Sequence, residues 1–185
     1  MRPVPAAELT ERLAEDLDGA FEDLVASNQD ALYAFVVSLG RDPGRAEEVV
    51  QDAFVRAYRA LRSYPAERIR AMSLRPWLHR IALNVFRNTL RRGRPELVLV
   101  DELPPVADPE AGPEEEALRQ VEQNRLLGAL ARLPVAYRSS VVLRYVNDLS
   151  YAEIAEALAQ PVGTVKSNVH RGVAMLRRAY LEEAS

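Results

Sequence analysis

The chain has 185 residues, 48% of them hydrophobic, enough for one medium core or two small ones. It has no cysteine, and its two histidines, His79 and His170, lie far apart. That excludes disulfides, thiol catalysis and the usual zinc spacings, while the lack of a signal-peptide core or an apolar run of about 18 residues predicts a soluble, cytoplasmic protein without membrane insertion. The net charge of −3 hides strong segregation: residues 1–30 carry −6, 31–92 carry +7, 93–117 carry −7 and 118–185 carry +3. Two basic blocks separated by an acidic stretch point to a polyanionic partner more clearly than the total does.

Residues 1–19 read as an acidic lead-in with a turn or two of helix around Leu9 and Leu13. From Ala20 to Leu39, apolar residues recur at helical spacing until Gly40 ends the run. Asp42 and Pro43 then supply an N-cap and a first helical position. The helix that follows buries Ala46, Val49, Val50, Ala53, Phe54, Ala57 and Leu61, and turns Glu48, Gln51, Asp52, Val55, Arg56 and Arg59 outward. Val55 is the apolar exception on that face, which fits either a solvated surface with one stray valine or a protein contact.

Residues 63–75 read as a loop or short turn region bearing Arg68, Arg70 and Arg75, and Pro76 is expected to open the next helix. Leu78, Ile81, Ala82, Val85 and Thr89 should face inward, leaving Arg80, Asn84, Arg87, Asn88 and Arg91 as one outward stripe. Between Arg68 and Pro95 there are eight arginines and no acid, a density that calls for a polyanion. Trp77, Phe86 and Tyr64 lie in or beside this block, and each is either a core residue or a stacking surface for unpaired bases. Residues 93–117 hold five prolines, two glycines and eight acids, the composition of a linker.

A helix is predicted through Val121, Leu126, Leu127 and Leu130, and another after Pro134 with Tyr137, Val141, Val142 and Tyr145 inward. Ser150 and Glu153 have capping-box spacing at the start of a helix that buries Ile154 and Leu158. Ala159, Gln160 and Pro161 break it. The last helix should bury Val165, Val169, Val173 and Leu176, turning Thr164, Lys166, Ser167, His170 and Arg171 outward, with no acid between Ala157 and Leu181. Such a pair is a helix-turn-helix whose second helix suits base edges and phosphates. Nothing alternates with period two for long, so the fold class is all-α: two small helical domains, 20–92 and 118–185, the second of four helices ending in the helix-turn-helix.

The segments AEEVVQDAFVRAYRAL, RPWLHRIALNVFRNTLRR and PVGTVKS, in that order around an acidic linker, resemble the extracytoplasmic-function sigma factors of the sigma-70 family. The resemblance covers residues 20–180 and implies a non-catalytic, cofactor-free subunit that joins core RNA polymerase to promoter DNA. It implies that Gln51, Asp52, Val55 and Arg59 meet the polymerase β′ coiled coil. Trp77, Arg80, Asn84, Arg87, Asn88 and Arg91 would serve the −10 element and the start of melting. Thr164, Lys166, Ser167, His170 and Arg171 would read the −35 element, while neighbouring surfaces dock on the β flap. The linker would thread toward the active-site cleft, and a cognate anti-sigma factor is a further expected partner. Asn88 and Asn168 stand where the family often has Asp and Arg, and Ala159 where the turn often has Gly, which bears on promoter sequence and turn geometry. The chain stops seven residues after Arg178, so the extra C-terminal domain of some relatives is not expected. The alternative is a stand-alone helix-turn-helix regulator, but residues 20–92 lack the βαβ rhythm of a receiver domain. No nucleophile-elbow, zinc-helix or phosphate-loop motif supports an enzyme.

Overall fold

The computed structural model describes residues 5–92 and 113–182, and the side chains of 5–91 and 117–182. The described residues are helical and contain no strand. In chain order the helices are α1 (Ala6–Glu15), α2 (Leu17–Gly40), α3 (Pro43–Ser63), α4 (Ala66–Arg70), α5 (Leu74–Arg92), α6 (Pro113–Ala131), α7 (Val135–Tyr145), α8 (Tyr151–Leu158) and α9 (Val162–Glu182). Helices α1–α5 pack into one group and α6–α9 into another. The predicted linker falls largely on 93–112, outside the described residues, but its last five residues, 113–117, belong to α6.

The helix starts follow local chemistry. Asp16 and Asp42 cap α2 and α3 by accepting from the N–H groups of Gly19 and Arg45. The capping box of α8 is complete: Ser150 N donates to Glu153 Oε2 at 2.8 Å, and Glu153 N donates to Ser150 Oγ at 3.3 Å. All seven residues expected inside α3 are buried. Phe86 is core, its ring so close to Gly40 that a Cβ there would meet Cε2 at 2.9 Å.

Several expectations need correction. The lead-in is a ten-residue helix, not a turn or two, and α1 lays the buried Leu9 and Leu13 on α2 and α4. The 63–75 segment contains α4, anchored by the buried Ile69. Helix α5 begins at Leu74 rather than Pro76, which sits in the first turn where a missing N–H leaves no bond unmade. Val121, Leu126, Tyr145 and Val173, read as inward, are exposed, Tyr145 at 65%. In α9 the buried position is Gly172. A Cβ there would lie 2.6 Å from Val141 Cγ2 and 3.2 Å from the Tyr137 carbonyl, so α7 crosses at backbone range and turns Val173 out.

The two groups share one apolar cluster. Helix α5 packs on α8, and α2 on α6 and α7. Polar contacts cross the same boundary: Arg138 donates to the Leu39 carbonyl, Asn147 Nδ2 to the Ala31 carbonyl at 2.8 Å, and Arg75 to the Asn147 carbonyl at 2.6 Å. Arg80 donates to the Glu156 carbonyl.

Two substitutions test this packing. Ala159 closes α8 in the left-handed region at φ 51°, ψ 49°. Ala159→Gly should raise stability by about 0.5–1 kcal/mol in denaturant melts. Gly172→Ala should lower it by about 1–2 kcal/mol, despite alanine's better helix propensity, because Val141 and the α7 backbone are in the way.

Candidate nucleic-acid interface

Helix α9 is the cleaner of two basic faces. Val165 and Val169 are buried beneath it, which forces Thr164, Lys166, Ser167, His170 and Arg171 outward, and all five are exposed. The ion pairs among the described residues leave Lys166 and Arg171 uncommitted. Lys166 Nζ lies 5.8 Å from the Tyr151 ring centroid, a cation–π contact that steadies the side chain. Asn168 does not join this row. It is half-buried, and its Nδ2 donates to Gln160 Oε1 at 3.1 Å, tying the recognition helix back to the turn.

Helix α5 presents a divided stripe. Asn84 and Arg91 are exposed, while Arg87, Asn88 and Trp77 are half-buried. Arg80 departs from the predicted outward row: its guanidinium is drawn onto the last turn of α8 by the Glu156 carbonyl, and its Nε is buried without a partner. A cation at a helix C-terminus is favourable because the last carbonyls carry partial negative charge. Beside Trp77 lies Tyr64, centroids 6.2 Å apart, with the Arg68 guanidinium 3.6 Å above the Tyr64 ring. Tyr64 and Arg68 thus join Trp77 in one partly exposed cluster, the two rings tilted by 59°, and the nearness of Tyr64 and Trp77 to the arginine block was the sequence signal for it. The α4 end of the block is held by α1, where Glu11 takes both its bonds from Arg70 Nε, at 2.9 and 3.0 Å.

On α3, Gln51, Val55 and Arg59 are exposed, Val55 at 47%. Asp52 shares this face, engaged by Arg56 through two bonds of 2.9 and 3.0 Å. Among the described residues no three His, Asp or Glu side chains come together to hold a metal ion, and no helix is long and apolar enough to cross a membrane.

The family model for Sigma-70 region 2 matches residues 24–96, and that for Sigma-70 region 4 matches residues 123–176. The chain is 33% identical to the ECF RNA polymerase sigma factor SigW of Bacillus subtilis over 169 residues, covering 86% of this chain and 88% of that one. It is 34% identical to the ECF RNA polymerase sigma-E factor of Escherichia coli K12 over 176 residues, covering 88% and 87%. Among solved structures it resembles CnrH, determined with the cytosolic domain of CnrY (TM-score 0.71, 28% identity, 97% and 99% covered). It also resembles RpoE of Bartonella quintana, determined with the anti-sigma factor NepR (TM-score 0.67, 25% identity, 86% and 95% covered). The chain belongs to the sigma-70 family, among its extracytoplasmic-function sigma factors, and directs promoter-specific transcription. The family binds core RNA polymerase and promoter DNA and is not a class of enzymes.

One titratable group sits where α5 meets the rest. His79 is 1% exposed, edge-on to Phe35 with centroids 5.2 Å apart. Its Nδ1 lies 2.8 Å from the Arg75 carbonyl, which can only accept, so Nδ1 carries the proton and Nε2 is left buried with no donor. Burial lowers its pKa to about 4; the Arg75 charge adds to this, while the Arg75 carbonyl and the Glu153 carboxylate oppose it. The unfolded chain takes up a proton near pH 6.5 and the folded chain resists it down to about 4, so His79 costs stability as pH falls through that window. Between pH 7 and 5 the wild type should lose about 2 kcal/mol more unfolding free energy than His79→Gln, measured by urea titration at each pH.

Proposed function

We propose that the two groups of helices divide the work of promoter recognition, with residues 20–92 serving core polymerase and the −10 element and residues 118–185 serving the −35 element. The observation that carries this is the acid-free outer face of α9, held outward by Val165 and Val169 and set by a complete capping box on α8. Its short polar and basic side chains suit a major groove: Lys166 and Arg171 offer donors to guanine or phosphate, and Thr164, Ser167 and His170 fill between them. On α5, Arg87, Arg91 and, once released, Arg80 hold phosphates, while Asn84 and Asn88 offer paired donors and acceptors to an unpaired base. Trp77, with Tyr64 and Arg68, supplies a stacking surface beside it.

The face of Gln51, Asp52, Val55 and Arg59 is assigned to the β′ coiled coil, since an exposed valine ringed by charges has the make-up of a small contact centre. Surfaces of the second group are assigned to the β flap, and the acidic residues 93–117 to a basic channel of the polymerase. The protein acts in the cytoplasm, without catalysis or cofactor. An anti-sigma factor is a further partner, supported by the similar RpoE of Bartonella quintana having been crystallised with the anti-sigma factor NepR. A stand-alone helix-turn-helix regulator is not favoured, because the region 2 match spans 24–96.

In run-off transcription with core polymerase, Lys166→Ala/Arg171→Ala should lose about 10- to 100-fold in output from promoters that depend on the upstream element, with core binding retained. Retained output across varied −35 sequences would remove the assignment of α9. Asp52→Arg should weaken core binding by about tenfold in a pull-down titration. Arg56→Ala, which breaks the same ion pair without reversing the face, is the control and should bind nearly as wild type. Arg87→Ala/Arg91→Ala should reduce permanganate reactivity at the −10 element while core binding persists; normal melting would count against α5.

A further inference from the structure

The first turns of the recognition helix are lightly packed. Val162 is 41% exposed, and a Cβ added at Gly163 would meet nothing within 4 Å. The C-terminal half of α9 is seated by Gly172 against α7, but the N-terminal half rests on the buried line of Val165 and Val169. A helix lying on one line of contacts is poorly held against rolling about its own axis. Side chains end roughly 5–6 Å from that axis, so a roll of about 20° moves their tips by about 2 Å. Hydrogen bonds to base edges do not survive such a shift, since donor and acceptor must stay within about 2.7–3.2 Å of each other.

Two side-chain contacts stand on opposite flanks of that line. At about 100° per residue, Lys166 projects about 100° to one side of Val165 and Asn168 about 60° to the other. Lys166 Nζ reaches over the Tyr151 ring on α8, and Asn168 Nδ2 donates to Gln160 Oε1 in the turn at 3.1 Å. Gln160 is itself fixed: its N–H donates to the Ala155 carbonyl of α8 at 3.0 Å, closing the turn around the left-handed Ala159. Both amide side chains belong to half-buried residues, which limits the competition of water for their bond. Pro161 precedes the first residue of α9 and has no side-chain oxygen with which to cap it. The bond between Gln160 and Asn168 is thus the tether that the turn itself supplies to the entering helix.

We propose, resting on the assignment of α9 to the −35 element made above, that Gln160 and Asn168 form a positioning clasp. The clasp fixes the roll of α9, so that the row from Thr164 to Arg171 meets its bases and phosphates in one register. Neither amide touches DNA. Asn168 acts on specificity through its neighbours rather than through a base of its own. Holding α9 in its bound orientation beforehand also favours association, because less has to be ordered on contact with the duplex.

The probe is a promoter duplex selected by the wild-type holoenzyme from fragments randomised across both elements, paired with the same duplex carrying a scrambled −35 element. The readout is discrimination, the ratio of holoenzyme affinities for the two, since a chain that is only less stable loses affinity for both alike. Gln160→Ala and Asn168→Ala should each lower discrimination by about three- to tenfold, and the double variant should fall no further than either single one. Exchanging the amides, Gln160→Asn/Asn168→Gln, keeps their combined reach and should restore most of the loss. When each −35 base pair is replaced in turn, the loss in both single variants should be spread across the element. Unchanged discrimination, additive losses in the double variant, or an exchange that restores nothing would each overturn the clasp. So would a loss confined to one base pair in Asn168→Ala alone, which would make Asn168 a base reader. Lys166→Ala/Arg171→Ala separates the two readings. If it leaves discrimination unchanged, the assignment of α9 falls and the clasp with it; if it lowers discrimination while Gln160→Ala and Asn168→Ala do not, the clasp alone is overturned.

Discussion

The guanidinium of Arg138 is the interaction on which the arrangement of the two groups turns. It donates to the carbonyl of Leu39 near the end of α2, and to those of Ala131 and Leu133 at the end of α6. Helix ends leave carbonyls without intrahelical partners, and each end carries partial negative charge, so two such ends would not converge without a cation between them. A lysine could not do the same, because its point charge lacks the planar fork that reaches several acceptors at fixed angles. Burial lowers the Arg138 pKa, yet an arginine stays charged, so the desolvation is offset only by those carbonyls. With Nε buried and unpartnered, the site is not fully satisfied. The fork nonetheless ties α7 to the ends of both α2 and α6.

From α7 the rest of the second group is placed by short, strained connections. Among the described residues three non-glycine residues have positive φ: Arg41 after α2, Asp148 between α7 and α8, and Ala159 between α8 and α9. Each such residue costs roughly 1–2 kcal/mol, with aspartate tolerating the region better than the others. Arg41 closes the helix whose Leu39 carbonyl meets Arg138, and Asp148 follows the Asn147 that reaches Ala31. Ala159 sets the angle between α8 and the recognition helix. The backbone is thus bent least comfortably at the points that orient one group on the other and the reading helix on its partner.

Most of the local structure was legible in the sequence because it depends on neighbours within a helix. The apolar face of α3 and the caps at Asp42 and Ser150 could be read from spacing alone, and so could the outward row of α9. The contacts that decide accessibility were not, since they join residues 72 to 116 positions apart. Arg80 fits the outward stripe by periodicity, and only the arrival of α8 converts it into a helix-end donor. Val173 fits an inward position as well as Gly172 does, until α7 crosses at a distance that admits no Cβ. Asn168 has the character of a base reader, but Gln160 across the turn claims its amide. The acidic lead-in lacked a long apolar run, yet two leucines one turn apart were enough once α2 and α4 offered them a surface.

Charge segregation completes the account. Several acids of the −6 N-terminal stretch are used inside the first group: Glu11 holds Arg70, Asp23 pairs with Arg12, and Asp18 accepts from the Tyr58 hydroxyl at 2.6 Å. Glu11 neutralises Arg70 at the α4 end of the basic block, whereas at the α5 end no described ion pair involves Arg87 or Arg91. An uncompensated row of arginines raises the free energy of the isolated chain and lowers it beside phosphate, a balance that added salt reverses. Arg80 stands at the boundary between these regimes. By periodicity it continues the row of Arg87 and Arg91, but its guanidinium is turned onto a neutral carbonyl at the end of α8, so the arginines of α5 left without any protein acceptor are those further along the helix, where a polyanion is the remaining compensation.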